Sequence, residues 1–182
     1  MTTTPRIAPL DPPYTAAVQA ALDRIMPPGA PPLALFRTVA TNERVFLRMM
    51  AGGLLDRGSI TLRERELAID RTCWRCGAEY EWGVHVAWFG PRVKLTPAEI
   101  AALCSDEVPA GVFDARERLI LALCDQLHAT ARIDDALWSA LAAAWQPEQL
   151  IELVALAGYY HTIAFIVNAF AIPLEPIGAR FV

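Results

Sequence analysis

The chain has 182 residues, a formal net charge of −4 at neutral pH and a single lysine, Lys94, among its sixteen cations. At 54% hydrophobic and 20% charged it is too apolar for a disordered chain, and it offers no basic stripe for a nucleic-acid backbone. The opening residues, MTTTPRIAPLDPPY, lack the charged-then-apolar layout of a secretory leader, so the four cysteines point to a reducing cytoplasm rather than a disulfide scaffold.

Residues 1–13 read as an arm, because Pro5, Pro9, Pro12 and Pro13 exclude regular structure. A first helix is expected over 14–26, with Val18, Leu22, Ile25 and Met26 on one face, and the PPGAPP stretch after it breaks the chain. A second helix over 33–50 should stop at Gly52-Gly53. Thr61-x-x-Glu64 is a capping box that opens a third helix running toward Gly77, and a fourth runs from near Ala78 to before Gly90-Pro91. Thr96-Pro97-x-Glu99 combines cap, first-turn proline and acidic third position for a short fifth. Asp114-x-x-Glu117 starts a sixth, Asp134 caps a seventh, and Pro147 launches a long eighth. Only 92–95 hints weakly at a strand. The expected fold is all-α: one bundle of about eight helices over 14–182, behind the arm.

Residues 153–174 carry no fixed charge and are long enough to cross a bilayer. Gly158, Tyr159, Tyr160, His161, Thr162 and Asn168, and the absence of a basic flank, favour a helix buried by its own domain and a partner subunit.

Chemistry concentrates in residues 63–90, which hold two cysteines, three tryptophans, a histidine and several carboxylates. After Gly77, Ala78, Glu81 and His85 share one helix face, and a carboxylate one turn before an imidazole can accept its N–H and form a proton-transfer pair. Tyr80, Trp82 and Trp88 would supply apolar walls, the first two as substrate-binding candidates, although the same spacing also occurs as a surface pair beside core aromatics. Cys73-x-x-Cys76 has redox spacing but falls in the last turn of the third helix, where the helix dipole disfavours a thiolate. The same cysteines read equally as buried thiols. Zinc is not indicated: there is one CxxC, no second pair, and only His85 or His161 to complete a site. His128 reads as structural, and Cys104 and Cys124 as core. His161, inside an uncharged helix, needs a partner, either a carboxylate such as Glu66 or a backbone carbonyl, and is a further candidate for substrate binding.

The strings RERELAIDR (63–71), EYEWGVHVAWF (79–89) and LIELVALAGYYHTIAFIVNAFAIPLE (150–175) resemble the carboxymuconolactone decarboxylase family, which includes the alkylhydroperoxidase D-like proteins. The resemblance spans most of the chain from about Val45 onward. It implies an all-helical fold, assembly as a homodimer, trimer or hexamer, and a small-molecule substrate. Anchored on His85, the hydroperoxidase motif sets Glu66 at its glutamate, but Ala78 and Glu81 where its two redox cysteines would stand. Cys73 and Cys76 come five residues too early. The decarboxylase branch is similar in lacking that redox pair and implies chemistry without metal or organic cofactor. Three readings follow, in this order. The first is an acid–base enzyme using Glu66, Glu81 and His85, with Arg71 or Arg75 holding a substrate carboxylate. The second is a hydroperoxide reductase using Cys73 and Cys76, and the third a non-catalytic oligomeric binding module.

Overall fold

The computed structural model describes residues 4–182, so the first three residues of the expected arm lie outside the described part. Nine helices and no strand occur among the described residues: α1 (Ala16–Ile25), α2 (Ala34–Val39), α3 (Glu43–Ala51), α4 (Leu62–Arg75), α5 (Glu79–Trp88), α6 (Pro97–Leu103), α7 (Ala115–Thr130), α8 (Asp135–Ala144) and α9 (Pro147–Ala169). The expected second helix is two. Asn42 leaves helical geometry and its side chain accepts from the Val45 N–H at 3.2 Å, so a local cap restarts the chain as α3. The weak strand at 92–95 is a turn, closed by Leu95 N–H donating to the Gly90 carbonyl at 2.9 Å.

The capping boxes at Thr61, Thr96 and Asp114 all form, which satisfies amide groups that the first turns of α4, α6 and α7 would otherwise leave unpaired. Helix α4 is the axis of the molecule and packs against α5, α6, α7 and α9. All ten of its residues from Glu64 to Cys73 are buried, five of them charged types. Burying charge is costly unless each group finds a partner. Glu64 accepts from Arg116 Nε and Trp145 Nε1, each at 2.8 Å. Arg71 binds both oxygens of Asp125 and the carbonyls of Leu103 and Ser105. Arg65 donates to Glu66 at 2.8 Å and to the Leu55 carbonyl at 2.6 Å. Asp70 alone has neither carboxyl oxygen paired.

Helix α9 is long and apolar enough to cross a membrane by length and composition. Here it buries Leu153, Leu156, Tyr160, Ile163 and Val167 against the rest of the chain and leaves Ile151 and Phe165 exposed. The arm lies along its own chain: Arg6 donates to the Phe170 and Ala169 carbonyls at 2.9 Å, and Arg37 holds Leu10 and Asp11.

The C-terminal tail straps α5 into place. Ala179 N–H donates to the Gly83 carbonyl at 2.9 Å, Phe181 packs on Trp82 with ring centroids 5.1 Å apart, and Glu175 accepts from Tyr80 Oη at 2.7 Å. A Cβ at residue 83 would lie 2.3 Å from the Ala179 carbonyl oxygen, so only glycine permits this approach. Gly83→Ala should therefore displace the tail, destabilise the fold by about 1–3 kcal/mol and open residues 176–182 to limited proteolysis. Unchanged melting and an equally protected tail would show that the close approach is not used.

Candidate active site

Gly77 takes a left-handed conformation, φ +62°, after the last turn of α4 and lets the chain fold back so that α5 lies against α4. That reversal sets His85 of α5 beside Glu66 of α4. His85 Nδ1 lies 2.7 Å from Glu66 Oε2, and both residues are buried, at 3% and 0% exposure. On the other side of the ring, Nε2 is 3.1 Å from the Tyr160 hydroxyl of α9 and 3.4 Å from Glu81 Oε1, one turn earlier on α5. Arg65 binds the remaining oxygen of Glu66, so that carboxylate is held at both ends.

Burial opposes a positive charge on His85, but the carboxylates of Glu66 and Glu81 outweigh it and raise its pKa to about 10. The ring is thus an imidazolium at neutral pH, with Nδ1–H donating to Glu66 and Nε2–H donating to Tyr160. Burial, with the charges of Glu81 and Glu66 added, pushes the Tyr160 phenol well up, so it stays neutral. Burial and repulsion from Glu66 likewise push the Asp70 carboxyl well up, only partly offset by His85.

Glu81 and His85 face a cavity of about 620 Å³ between α5, α9 and the N-terminal helices. Its walls are largely apolar, with Phe36, Met49, Trp88, Phe89 and Tyr159 contributing, and Arg24 and Arg92 add positive charge. Glu66 lies behind His85. The structure therefore brings together Glu66, Glu81 and His85.

The four residues assigned to substrate binding from the sequence do not line this cavity. Successive residues on a helix diverge by about 100°, so with Glu81 turned inward its neighbours Tyr80 and Trp82 point elsewhere. Tyr80 donates to Glu175 and accepts from the Leu35 N–H, while Trp82 is fully buried against Phe181. The same geometry separates Tyr160, which enters the site, from His161, whose Nδ1 instead meets the Ala157 carbonyl at 2.8 Å, not Glu66. Arg71 is consumed by Asp125 and two carbonyls, and Arg75 by Asp125 and Asp106. Sequence reasoning missed Tyr160, Arg65, Arg92 and Asp70. Tyr160 lies on the same apolar stripe as Leu153, Leu156 and Ile163, and Asp70 follows Glu66 by one turn.

The redox candidates diverge. Cys73 is fully buried near the acid cluster, and its thiol is pushed well up by burial and then by the Glu81 and Asp70 carboxylates. Cys76, half-buried, turns toward His128, with Sγ 3.6 Å from Nδ1, and burial raises it to about 11. All four cysteines are free.

The raised pKa gives a pH dependence of definite sign. Because the folded value exceeds the unfolded value of about 6.5, the stabilisation from His85 is complete below that pH and is lost as pH rises through about 10. Nitrogen-15 NMR of the ring should show both His85 nitrogens protonated at pH 7.5, with Glu66→Gln shifting the ring toward the neutral form. A ring that is neutral at pH 7.5 in the native chain would refute this electrostatic assignment.

No protein-family model matches the sequence, and no curated protein matches it by sequence. Solved structures do match in shape. The chain superimposes with a TM-score of 0.81 on an uncharacterized peroxidase-related protein from Silicibacter sp. TM1040, at 17% identity and with 100% of both chains covered. It matches the alkylhydroperoxidase AhpD core, an uncharacterized peroxidase-related protein from Ralstonia eutropha JMP134, with a TM-score of 0.80 at 16% identity, over 96% of this chain and 95% of that one. The debrominase Bmp8, in a cysteine-to-alanine form complexed with 2,3,4-tribromopyrrole, matches with a TM-score of 0.70 at 16% identity, over 97% of this chain and 95% of that one. The all-helical architecture and these superpositions together show that the chain has the alkylhydroperoxidase D-like fold.

Proposed function

We propose that the chain is a cofactor-independent acid–base enzyme acting on a small, mostly apolar carboxylate or lactone in the cavity beneath Trp88 and Phe89. The observation that carries this reading is the pair Glu81 and His85 at the cavity wall. They occupy the region where the resembling hydroperoxidase motif would place its redox chemistry, and Glu66 fixes the imidazole from behind.

The groups divide the work of a proton transfer between them. Glu81 carries an oxygen able to take a proton from a carbon adjacent to a carbonyl. The electron pair released there moves onto the carbonyl oxygen, where the Nε2–H of His85 and the Tyr160 hydroxyl offer hydrogen bonds to the developing charge. The proton then returns from Glu81 or His85 to a different atom. If the substrate carries a carboxylate on that conjugated system, the carbon–carboxylate bond breaks instead. Its electron pair enters the same system, carbon dioxide leaves, and the incoming proton ends on carbon. Glu66 neutralises the imidazolium throughout and holds its orientation. Arg92, stacked over Phe89 at 5.2 Å, and Arg24 are the cationic groups placed to receive a substrate anion, in place of Arg71 and Arg75. The tribromopyrrole held by the debrominase supports a ring-sized occupant for a cavity of this volume.

The thiol reading draws support from the peroxidase-related names of two neighbours. Weighing against it, thiol chemistry needs an accessible thiolate, and the buried Cys73 carries a thiol pushed well above its ordinary value. Screened against small lactones and keto acids, His85→Ala and Glu81→Gln should each lower kcat/KM by about 100- to 10,000-fold, while Cys73→Ser retains activity. Loss of turnover in Cys73→Ser with His85→Ala fully active would reverse the assignment.

A further inference from the structure

Outside the cavity, three side chains from three helices converge at the C-terminal end of α4. Cys76 is the cap residue of α4, His128 comes from the last turns of α7, and His161 from the middle of α9. His128 Nδ1 lies 3.6 Å from Cys76 Sγ and 3.2 Å from His161 Nε2, and the three ligand atoms all fall within 4.8 Å of one another. We propose that Cys76, His128 and His161 form a binding site for a divalent transition-metal ion of the zinc class, with a fourth position open to solvent.

The spacing argues for this directly. A tetrahedral zinc with Zn–N near 2.0–2.1 Å and Zn–S near 2.3 Å separates its nitrogens by about 3.3 Å and a nitrogen from the sulfur by about 3.6 Å. Two of the three edges already have those lengths. The third, Cys76 to His161, needs only a side-chain adjustment. His161 also shows the outer-shell support typical of a metal-bound imidazole: its Nδ1–H donates to the Ala157 carbonyl at 2.8 Å, which leaves the Nε2 lone pair facing the cluster. The backbone of Cys76 is tied to α9 by Asn168, whose Nδ2 donates to the Cys76 carbonyl at 2.9 Å.

One thiolate and two imidazoles suit a borderline ion such as zinc or cobalt(II), not magnesium or calcium, which require oxygen ligands. No protein carboxylate completes the set, because Asp125 nearby is committed to Arg71 and Arg75. A solvent-open cleft of about 650 Å³ runs beside His128, leaving room for water or a small ligand in the fourth position. On binding, the Cys76 S–H bond breaks and its proton passes to solvent. Both imidazoles coordinate through lone pairs, with the His128 proton moving to Nε2. A coordinated Cys76 is withdrawn from any disulfide with Cys73, and the ion joins α4, α7 and α9. None of the three ligands lines the acid–base cavity, so the site is independent of the function proposed above.

The test is titration of the untagged, reduced chain with cobalt(II) alone and with zinc alone. Cobalt should give a thiolate-to-metal charge-transfer band and the intense visible bands of a tetrahedral ion, both displaced by zinc. Zinc at a hundredfold excess over its Kd should raise Tm by roughly 5–10 °C. Cys76→Ser and His128→Ala should each weaken binding by more than about a hundredfold, beyond the loss of an outer-shell partner, and Cys104→Ser should not. His128 is exposed, so its replacement leaves a folded protein to measure. Absence of the thiolate band, or binding that survives both ligand variants, overturns the proposal.

Discussion

An imidazole and a carboxylate buried against each other at 2.7 Å set the terms for the centre of this molecule. Glu66 has no solvent access and His85 almost none, so the charge of each must be met by protein groups, each by the other and then by Arg65 and Glu81. The pair fixes the distance between α4 and α5 and demands the reversal at Gly77. It also requires Arg65 on the far oxygen of Glu66 and draws Tyr160 of α9 onto the far side of the ring. The tail that lies across Gly83 and Trp82 holds α5 from outside.

The same arrangement governs reactivity. With two carboxylates around it, His85 holds its proton at neutral pH, and its Nε2–H, resting on the Tyr160 hydroxyl, is the donor on the cavity side. The negative charge that stabilises this cation also destabilises any thiolate nearby, and Cys73 takes that penalty. Acid–base chemistry and thiol chemistry are therefore opposed by one electrostatic field in this site. Asp70 belongs to the same field: it is unpaired, and burial and the charge of Glu66 push its carboxyl well up, which disfavours a further negative charge in the core.

Much of this was legible in the sequence, wherever a local rule decides the outcome. Capping boxes at Thr61, Thr96 and Asp114 depend on residues three apart, and all three form. The motif resemblance joined Glu66 to Glu81 and His85 across the turn, and the three meet. The break in the second helix is hard to read because apolar residues at helical spacing flank the polar stretch 41–44 on both sides, while the Asn42 cap that breaks the backbone is a weaker signal. The substrate-binding candidates lie off the cavity for a geometric reason. Tyr80, Trp82 and His161 each adjoin a residue that does face the site, and one step along a helix turns a side chain away. Arg71 gave no sign of its commitment to Asp125, because the two are 54 positions apart in sequence. The meeting of Cys76, His128 and His161 was equally out of reach, since it depends on how α4, α7 and α9 pack.

The central claim is that the site works with protons, not with thiols. Its most direct test is intact-mass and peptide-map analysis before and after challenge with an organic hydroperoxide, and again after a dithiol. The account predicts that Cys73 remains a thiol and that no reversible Cys73–Cys76 disulfide accumulates. A rapid disulfide mapped to that pair and reversed by the dithiol would contradict it.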